Sequence, residues 1–368
     1  MRVLVVNAGS SSLKLRLLDS HDVISRSADL PAGPDGLDTS RLAAVLRGWR
    51  KPDVVGHRIV HGGSLFTGPV RIDDAVRKQL RDLTDLAPLH QPKSLAALDA
   101  VSARLPDTTA VASFDTAFHT TIPAAAATYA IPLEWRKRYG IRRYGFHGLS
   151  HSYCSGRAAQ LLGLPLTGLR IITCHLGAGA SLAAVLDGHS VDTTMGFTPL
   201  EGLVMATRSG TVDPGLVLWL EEHEHLSPHE VATALESRSG LLSLAGTADM
   251  GQVQAAADRG DLDAQRAIDV YIHRLAGGIA SMSAATGGVD VLAFTGGVGE
   301  HSAMVRQRAA QRLGFLGVAI DRHRNDAVRD DCDISATGTT VKTLVITARE
   351  DLQIAREARQ VLGIPPPR

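Results

Sequence analysis

Two segments far apart in the chain share one pattern, and this repeat constrains the fold most strongly. One begins at Leu4 and reads LVVNAGSSSLKLRLLDS, and the other begins at Ile172 and reads ITCHLGAGASLAAVLDG. Each has an apolar run, a glycine-rich turn, an alternating run and an aspartate before the next turn. Apolar runs and period-two alternation are typical of strands. The pattern predicts two lobes that each begin with a strand, a tight turn and a second strand.

The remainder of the chain alternates between strand-like and helix-like segments. The apolar run 289–294 leads into TGGVGE, after which a helix is predicted through about Leu313. At 368 residues the chain exceeds the size of one typical hydrophobic core, which favours two domains. We therefore expect an α/β protein with two lobes and mixed sheets.

Composition excludes several classes of partner and compartment. Lys plus Arg and Asp plus Glu both number 38, so the overall charge predicts neither nucleic acid nor membrane as a partner. The opening apolar run, residues 3–6, is too short for a signal peptide. Three widely spaced cysteines, Cys154, Cys174 and Cys332, fit a reducing compartment better than a disulfide framework. These observations predict a cytoplasmic protein.

Polar residues concentrate where strands are predicted to end. They are Arg58 in GHRIVHGG, Asp115 in SFDTAFH, His147 in RRYGFHGLSH, Arg208 in MATRSGTVDPG and Glu350 in TARED. Arginines, oxygen ligands for Mg²⁺ and glycine-rich turns are the parts that phosphoryl transfer requires. The turn NAGSSSLK lacks the spacing of a P-loop, and no G-x-S-x-G motif supports an esterase. A zinc site at His147 and His151 would lack a helical frame.

These segments, taken in order, resemble the acetate kinase family. VNAGSSSLK, GHRIVHGG, LAPLHQP, FDTAFH, RRYGFHG, HLGAGAS, TPLEGLVM and FTGGVGE carry the resemblance, which runs from residue 1 to about 363. The family implies an α/β fold of two actin-like lobes (the sugar kinase, Hsp70 and actin type, ribonuclease H-like) with a central cleft. Residues 1–118 with 351–368 would form the lobe for the acyl substrate and metal. Residues 119–350 would bind nucleotide and form a homodimer interface.

The resemblance also implies an activity. The enzyme would be a phosphotransferase that makes acetyl phosphate and ADP from acetate and ATP, reversibly, by direct in-line transfer to the carboxylate. Mg²⁺ would be the cofactor, with Mn²⁺ able to substitute. The open alternatives are propionate as acceptor, another phosphoryl donor such as pyrophosphate, and an actin-like binding protein without catalysis.

Residues are assigned to roles by their match to the family's motifs. Asn7 and Glu350 fall at the metal position, and the catalytic candidates are Arg58, Asp115, His147 and Arg208. The substrate site would comprise Arg58, Val60, Leu89, His90, Phe146 and Pro199. The nucleotide site would comprise Ser10, Ser12, Lys14, His175, Leu176, Gly177, Ala178, Gly179, Asp249, Met250, Gly251, Gly297, Val298, Gly299, Glu300 and His301.

Three of these positions depart from the family pattern, and all lie on the nucleotide side. Ala178 replaces an asparagine, Gly251 replaces an arginine, and His301 replaces an asparagine. Losing a charged or amide contact to phosphate weakens binding by about 1.5–3 kcal/mol. These changes keep a different donor open as an alternative. The residues assigned to the carboxylate substrate match the family pattern. A carboxylic acid substrate with a pKa of ~4 is already ionised at neutral pH. Asp115 is therefore expected to organise the metal or an arginine, and not to act as a base.

Overall fold

The computed structural model of the chain describes residues 1–9, 12–31, 38–87 and 90–365. The strands in these ranges are β1 Val3–Ala8, β2 Ser12–Leu18, β3 Ile24–Pro31, β4 Val54–Ile59, β5 Val70–Arg71, β6 Thr109–Phe114, β7 Arg170–Leu176, β8 Ala180–Leu186, β9 His189–Thr193, β10 Val291–Thr295, β11 Cys332–Asp333 and β12 Lys342–Val345. The helices are α1 Thr39–Arg47, α2 Asp74–Asp82, α3 Gln91–Ser102, α4 Ala124–Ala127, α5 Leu133–Tyr139, α6 Gly148–Leu162, α7 Pro214–His223, α8 Pro228–Ser237, α9 Gly240–Ala245, α10 Met250–Asp258, α11 Leu262–Ala285, α12 Gly296–His301, α13 Ala303–Arg312, α14 Arg322–Asp326 and α15 Glu350–Val361.

The first of two compact units is assembled from three stretches of chain. It contains Met1–Thr120, Phe146–Tyr153 and Arg349–Arg368. Its six-stranded sheet has the order β3-β2-β1-β4-β6-β5. Strands β1, β4 and β6 are parallel, whereas β2, β3 and β5 run antiparallel to their neighbours. Parallel neighbours bring their carboxyl ends to one edge of the sheet, which is where the polar strand-end residues of the sequence lie.

Both faces of this sheet are covered by helices. Alternate residues of β1 and β2, among them Leu4, Val6 and Leu15, pack with residues of α1 and α3. Helix α15 lies on the opposite face, where a Cβ on Gly56 would come within 2.6 Å of the Ile354 side chain. This close approach explains why a glycine occupies the middle of a buried strand.

The second unit repeats the topology of the first. It contains Thr121–Gly145 and Cys154–Ala348, and its sheet has the order β11-β12-β10-β7-β8-β9. Strands β7, β10 and β12 are parallel, with β8 antiparallel to β7 over the whole hairpin. Both repeated segments of the sequence therefore form the predicted antiparallel hairpin, β1–β2 and β7–β8. The prediction of an α/β fold with two mixed sheets is confirmed.

One helix prediction was wrong in detail. The expected continuous helix after β10 is broken at Ser302 into α12 and α13, and the Ser302 hydroxyl accepts the Val305 N–H at 3.3 Å to cap the second helix. The domain boundaries at 118 and 351 stay a prediction. In the described part of the chain, none of the helices combines the length and apolarity needed to cross a lipid bilayer.

A buried histidine of the first unit lacks a hydrogen bond on its Nε2 among the described residues. His57 of β4 is 1% exposed, and its Nε2 has no hydrogen-bond partner among the described residues. Burial lowers the pKa of His57 from 6.5 to about 3, assisted by Arg77 and opposed by Asp99. Because an imidazolium here would be desolvated, His57 is neutral in the folded protein.

This burial predicts a loss of stability in mild acid. The unfolded chain takes up a proton on His57 near pH 6.5, but the folded chain does so only near pH 3. The free energy of unfolding therefore falls as the pH drops through this window, by on the order of 2 kcal/mol at pH 5 from this residue. We expect His57→Leu to remove that part of the pH dependence between pH 7 and pH 5, measured by urea denaturation. His21→Leu, at an exposed histidine, is the matched control, and an unchanged pH dependence in His57→Leu would contradict the prediction.

Candidate active site

Three neighbouring parallel strands of the first unit deliver polar side chains to one edge of the sheet. Val6 of β1 pairs with His57 of β4, so the next residues, Asn7 and Arg58, are also adjacent. Asp115 directly follows β6, and its N–H donates to the Ile59 carbonyl at 3.1 Å. Period-two alternation places all three side chains on the face that α15 covers.

Arg58 is the centre of this cluster. Its Nε donates to Asp115 Oδ1 at 2.9 Å, and its Nη2 donates to Asp115 Oδ2 at 2.5 Å. Its Nη1 donates to Asn7 Oδ1 at 3.1 Å. The guanidinium plane is thus fixed by three hydrogen bonds that it donates to two residues. A bidentate arginine–carboxylate pair has a defined geometry that lysine could not reproduce.

Asn7 connects this arginine to the start of α15. The Asn7 Nδ2 donates to Glu350 Oε2 at 2.9 Å, although the two residues are 343 positions apart in sequence. Glu350 is the first residue of α15, where a carboxylate also interacts favourably with the helix dipole. Asn7, Arg58, Asp115 and Glu350 therefore form one hydrogen-bonded cluster, defined here as the Arg58 cluster.

The charges in the Arg58 cluster depend on one another. Burial alone would lower the pKa of Arg58, but the carboxylates of Asp115 and Glu350 outweigh it and raise that pKa. Burial raises the pKa of Asp115, while Arg58 and the His147 backbone N–H oppose this shift. Since both Asp115 oxygens accept hydrogen bonds from Arg58, this arrangement requires an ionised carboxylate. The cluster holds a permanently charged arginine at the strand ends.

His147 is held beside the Arg58 cluster by a strained turn. It adopts a left-handed backbone with φ of 57°, which is uncommon for a residue other than glycine. The next residue, Gly148, donates its N–H to the Asp115 carbonyl at 2.8 Å. A Cβ on Gly148 would lie 2.2 Å from that same oxygen, so no other residue fits there. The RRYGFHG motif thereby positions His147 through main-chain contact with Asp115.

Two further histidines of the first unit lie behind His147. The rings of His147 and His151 have centroids 6.5 Å apart, and those of His151 and His119 are 5.7 Å apart. The Nε2 of His119 is 3.0 Å from the Phe146 carbonyl. Burial lowers the pKa of His119 to about 4, partly offset by that carbonyl. His119 is therefore neutral, and its Nε2–H donates to the carbonyl.

The predicted substrate residues of this unit are apolar and shielded. Val60 is 8% exposed and Phe146 is 1% exposed, while Leu89 lies outside the described residues. His90 is the N-cap residue of α3, but its side chain makes no capping hydrogen bond. Val60 follows β4 directly, so its place is set by the strand that carries Arg58.

Gln91 is a buried residue that the sequence analysis missed. Its Oε1 accepts the His61 N–H at 3.2 Å, and its Nε2 donates to the His61 carbonyl at 3.2 Å. This two-way clamp fixes the main chain directly after Val60. The only signal in the sequence is that Gln91 lies within the LAPLHQP motif, and a glutamine is normally solvated.

Arg208 and Pro199 belong to the second unit and contact each other. Arg208 Nη1 donates to the Pro199 carbonyl at 3.3 Å and lies 3.9 Å from Met205 Sδ. Burial lowers the pKa of Arg208, and the nearby Glu236 opposes this change. An arginine remains protonated under any ordinary condition. Arg208 is thus a second partly buried cation.

The residues of the second unit that are predicted to bind nucleotide occupy one glycine-rich turn, the start of α10 and the helix α12. His175 and Leu176 end β7, and Gly177 donates to the Gly179 carbonyl at 3.0 Å to form the hairpin turn. The Ala178 carbonyl accepts the Ala206 N–H at 3.1 Å. Asp249 is the N-cap of α10, where it accepts the Gln252 N–H, and Met250 and Gly251 form the first turn.

Glu300 organises the third of these segments. Gly297, Val298, Gly299, Glu300 and His301 belong to α12, and Glu300 Oε1 accepts the N–H groups of Gly296 and Ala348, each at 2.9 Å. One carboxylate thus joins the end of β10 to the segment after β12. In this structure the Glu300 side chain accepts hydrogen bonds from the backbone of the protein itself.

The opening turn is described only at its ends. Ser10 lies outside the described residues, Gly9 donates to the Ser12 carbonyl at 2.9 Å, and Lys14 is exposed and pairs across the hairpin with Asn7. The lysine is therefore available on the strand next to the Arg58 cluster.

The two α/β units share the same strand order. Together with the arginine–carboxylate–amide cluster at the ends of three strands, this architecture is that of the actin-like phosphotransferases. The chain belongs to the acetokinase family, whose model matches residues 39–356.

Named relatives and solved structures agree with this assignment. The chain is 50% identical to an acetate kinase of Nostoc sp. over 84% of this chain and 76% of the relative. It is 44% identical to an acetate kinase of Clavibacter sepedonicus over 98% of this chain and 99% of the relative. The acetate kinase structure from Porphyromonas gingivalis aligns with a TM-score of 0.89 at 35% identity, covering 98% of this chain and 99% of that chain. A propionate kinase from Francisella tularensis aligns equally well, with a TM-score of 0.90 at 34% identity and the same coverages.

Proposed function

We propose that this protein transfers the γ-phosphoryl group of ATP to acetate, forming acetyl phosphate and ADP in a reversible reaction. Membership of the acetokinase family supports the reaction class. The observation that carries the proposal is the Arg58 cluster, which fixes a guanidinium beside an amide and a second carboxylate. A fixed guanidinium of this kind can bind the acetate carboxylate or the phosphoryl group and reduce the repulsion between these two anions.

The roles of the residues follow from the chemistry of two anions. Acetate is ionised at neutral pH, so the nucleophile needs no general base. We assign Arg58 and Arg208 to neutralising the carboxylate and the transferring phosphoryl group, and His147 to donating a hydrogen bond to that group in the transition state. Asp115 is a positioning residue because both of its oxygens are used to orient Arg58. Val60, Phe146, His90 and Pro199 are assigned to the acyl group.

We assign Mg²⁺ to Glu350 and Asn7 at the edge of the Arg58 cluster. The Glu350 carboxylate offers the hard oxygen ligand that Mg²⁺ prefers, whereas Asn7 directs its Nδ2 to Glu350 and its Oδ1 to Arg58, so its amide oxygen would serve the metal only after the side chain rotates. Among the residues that the structure describes, no group of three or more acidic, histidine or cysteine side chains could hold a metal ion. A Mg²⁺ ion at Asn7 and Glu350 would thus take further oxygens from phosphate and water, and would neutralise phosphate charge.

The nucleotide is assigned to the turn at Gly177–Gly179 and to the segments at Asp249 and Gly297, with Lys14 and Ser12 reaching phosphate. Backbone N–H groups of glycine-rich turns bind phosphate without needing a particular side chain. This supports ATP as donor despite Ala178, Gly251 and His301. The residues at those three positions would lower the affinity for ATP or the selectivity for its base, but would not abolish ATP binding.

We propose a homodimer as the assembly. The apolar helix α7 has no buried residue, and its Leu216, Leu218 and Trp219 are 44%, 57% and 46% exposed. Apolar side chains grouped in this way are typical of protein interfaces. Light scattering after size-exclusion chromatography measures the assembly directly, and a mass equal to one chain at micromolar concentration would contradict a stable dimer.

Trapping the product as a hydroxamate tests the proposed reaction. Purified protein is supplied with hydroxylamine, Mg²⁺, acetate or propionate, and either ATP or pyrophosphate. Hydroxamate from ATP and acetate is the expected result. Product from propionate in preference to acetate would reassign the acceptor, and product from pyrophosphate alone would reassign the donor. Folded protein that gives no product in any combination would overturn the proposal.

A further inference from the structure

Three side chains in the second unit form a shielded network that none of the assigned roles uses. Glu201 accepts the Tyr129 hydroxyl on Oε2 at 2.5 Å and the Arg143 Nη2 on Oε1 at 2.7 Å. The side chains of Arg143 and Glu201 are only 17% and 33% exposed. The guanidinium carbon of Arg143 also lies 5.5 Å from the centre of the Tyr129 ring. These three residues are defined here as the Glu201 network.

The arginine of this network binds three consecutive carbonyl groups. Arg143 Nη1 lies 3.1 Å from the Thr193 carbonyl oxygen, 3.2 Å from that of Thr194 and 3.0 Å from that of Met195. Thr193 ends β9, and Thr194 and Met195 begin the segment between β9 and α7, which has no regular secondary structure in residues 194–213. A long irregular segment keeps one conformation only where its backbone polar groups are tied down. Arg143 supplies those ties at the start of the segment.

The next two residues are held by the phenol and by the RRYGFHG segment. Phe197 donates its N–H to the Tyr129 hydroxyl oxygen at 3.0 Å. The Gly196 carbonyl accepts the N–H groups of Tyr144 at 3.1 Å and Gly145 at 3.2 Å. Every residue from 193 to 197 is therefore fixed through its main chain.

Gly196 shows how closely the main chain lies on the network. A Cβ at this position would be 1.8 Å from Glu201 Oε2 and 2.1 Å from the Tyr129 hydroxyl oxygen. No side chain could occupy that space without displacing the carboxylate–phenol pair. The pair therefore determines the path of the backbone at Gly196.

The segment fixed in this way carries Pro199, whose carbonyl accepts the hydrogen bond from Arg208. We propose that the Glu201 network is a positioning device that sets Pro199 and Arg208 for the carboxylic acid, and so determines which acid is preferred. The proposal rests on the proposed function, in which Pro199 contacts the acyl group. The network contains no group that reacts, and its contribution lies in the placement of two residues.

Replacing Tyr129 with phenylalanine tests the network with the smallest change. The ring stays beside Arg143, but the hydroxyl that joins Glu201 to the Phe197 N–H is lost. We expect KM for acetate to rise about 10-fold to 100-fold, as for loss of a hydrogen bond to a charged group, with KM for ATP changed by less than about 2-fold. The ratio of kcat/KM for acetate to that for propionate is expected to shift as well. Glu201→Gln has one side-chain oxygen and can accept from Tyr129 or from Arg143 but not from both, so it should also raise KM for acetate.

Tyr139→Phe is the matched control, because Tyr139 is 53% exposed in the same unit. It should leave both KM values and the acid preference unchanged. A Tyr129→Phe enzyme whose thermal midpoint falls while the acetate-to-propionate ratio and KM for acetate stay at wild-type values would overturn the proposal. Such a network would be structural only.

A second measurement separates this proposal from the proposed function. Hydrogen exchange of the peptides that cover residues 193–211 is followed in wild type, Tyr129→Phe and Tyr139→Phe. Faster exchange in Tyr129→Phe alone, with the β7–β8 hairpin unchanged, is expected whether or not the wild type forms acyl phosphate. Unchanged exchange would overturn the network's control of the segment. Wild-type protein that makes no acyl phosphate would overturn the function and, with it, the link to acid preference.

Discussion

Replacing Arg58 with alanine is expected to lower kcat for acyl-phosphate formation by roughly 10³-fold to 10⁵-fold, the range for an arginine that stabilises phosphoryl transfer. The change also leaves Asp115, 1% exposed, without both of its side-chain donors. Removing one partner of a buried ion pair destabilises a protein by about 3–5 kcal/mol. Initial rates and the thermal midpoint should therefore be measured on the same preparation.

The Arg16–Asp29 pair provides a matched control for Arg58→Ala. It joins neighbouring strands of the same sheet at 2.5 Å, but the Asp29 side chain is 53% exposed. Arg16→Ala should retain a rate within about 2-fold of wild type, since exposed ion pairs contribute little. An Arg58→Ala enzyme that is folded and within 10-fold of the wild-type rate would contradict the role of Arg58.

The Mg²⁺ dependence of Asp115→Asn distinguishes positioning from base catalysis. Asparagine retains one oxygen for Arg58 but loses the bidentate ionic pairing, so the guanidinium is held less firmly. We expect a reduced kcat and an altered dependence on Mg²⁺, because Arg58 also contacts Asn7. Normal rate and normal Mg²⁺ dependence in Asp115→Asn would contradict the positioning role.

Replacing Arg208 with alanine is the second change expected to abolish most activity, again by roughly 10³-fold or more in kcat. The thermal midpoint should be measured on the same preparation, because the variant loses the 3.3 Å hydrogen bond to the Pro199 carbonyl. Arg238→Ala, at an exposed arginine of the same unit, is the control and should leave the rate unchanged. Arg208→Lys should recover part of the activity, since it restores the charge without the fork geometry. Full activity in Arg208→Ala would remove Arg208 from the catalytic residues.

The fold could be predicted from sequence because its signals are local. The two hairpins follow from alternation on either side of a glycine turn, and strand-end residues such as Arg58 and Asp115 follow from apolar runs that stop at a polar residue. The match of Asn7 with Glu350 needed the family resemblance, because no local pattern relates residues 343 positions apart. The break of the helix at Ser302 was missed because a serine in a helical pattern can either lie within a helix or cap the start of a new one.

The residues that support the candidate site could not be predicted in the same way. Gln91, Tyr129 and Glu201 are polar, and polar residues are mostly solvated surface. Their roles depend on partners brought close by tertiary structure, such as the His61 backbone for Gln91. Sequence patterns report the period of an element, but not which polar side chain meets which distant backbone group.

The interrupted chain path of the first unit has a consequence for biosynthesis. Its sheet is complete once Phe114 has emerged from the ribosome, yet α15, which covers one face and carries Glu350, is made only after the second unit. At about 5–20 residues per second, translation of residues 121–348 takes roughly 10–50 s. During that interval the nascent chain exposes the apolar sheet face around Gly56, which α15 covers in the folded unit. The hydrogen bond between Asn7 and Glu350 can form only after the second unit, which lies between them in the chain, has been synthesised.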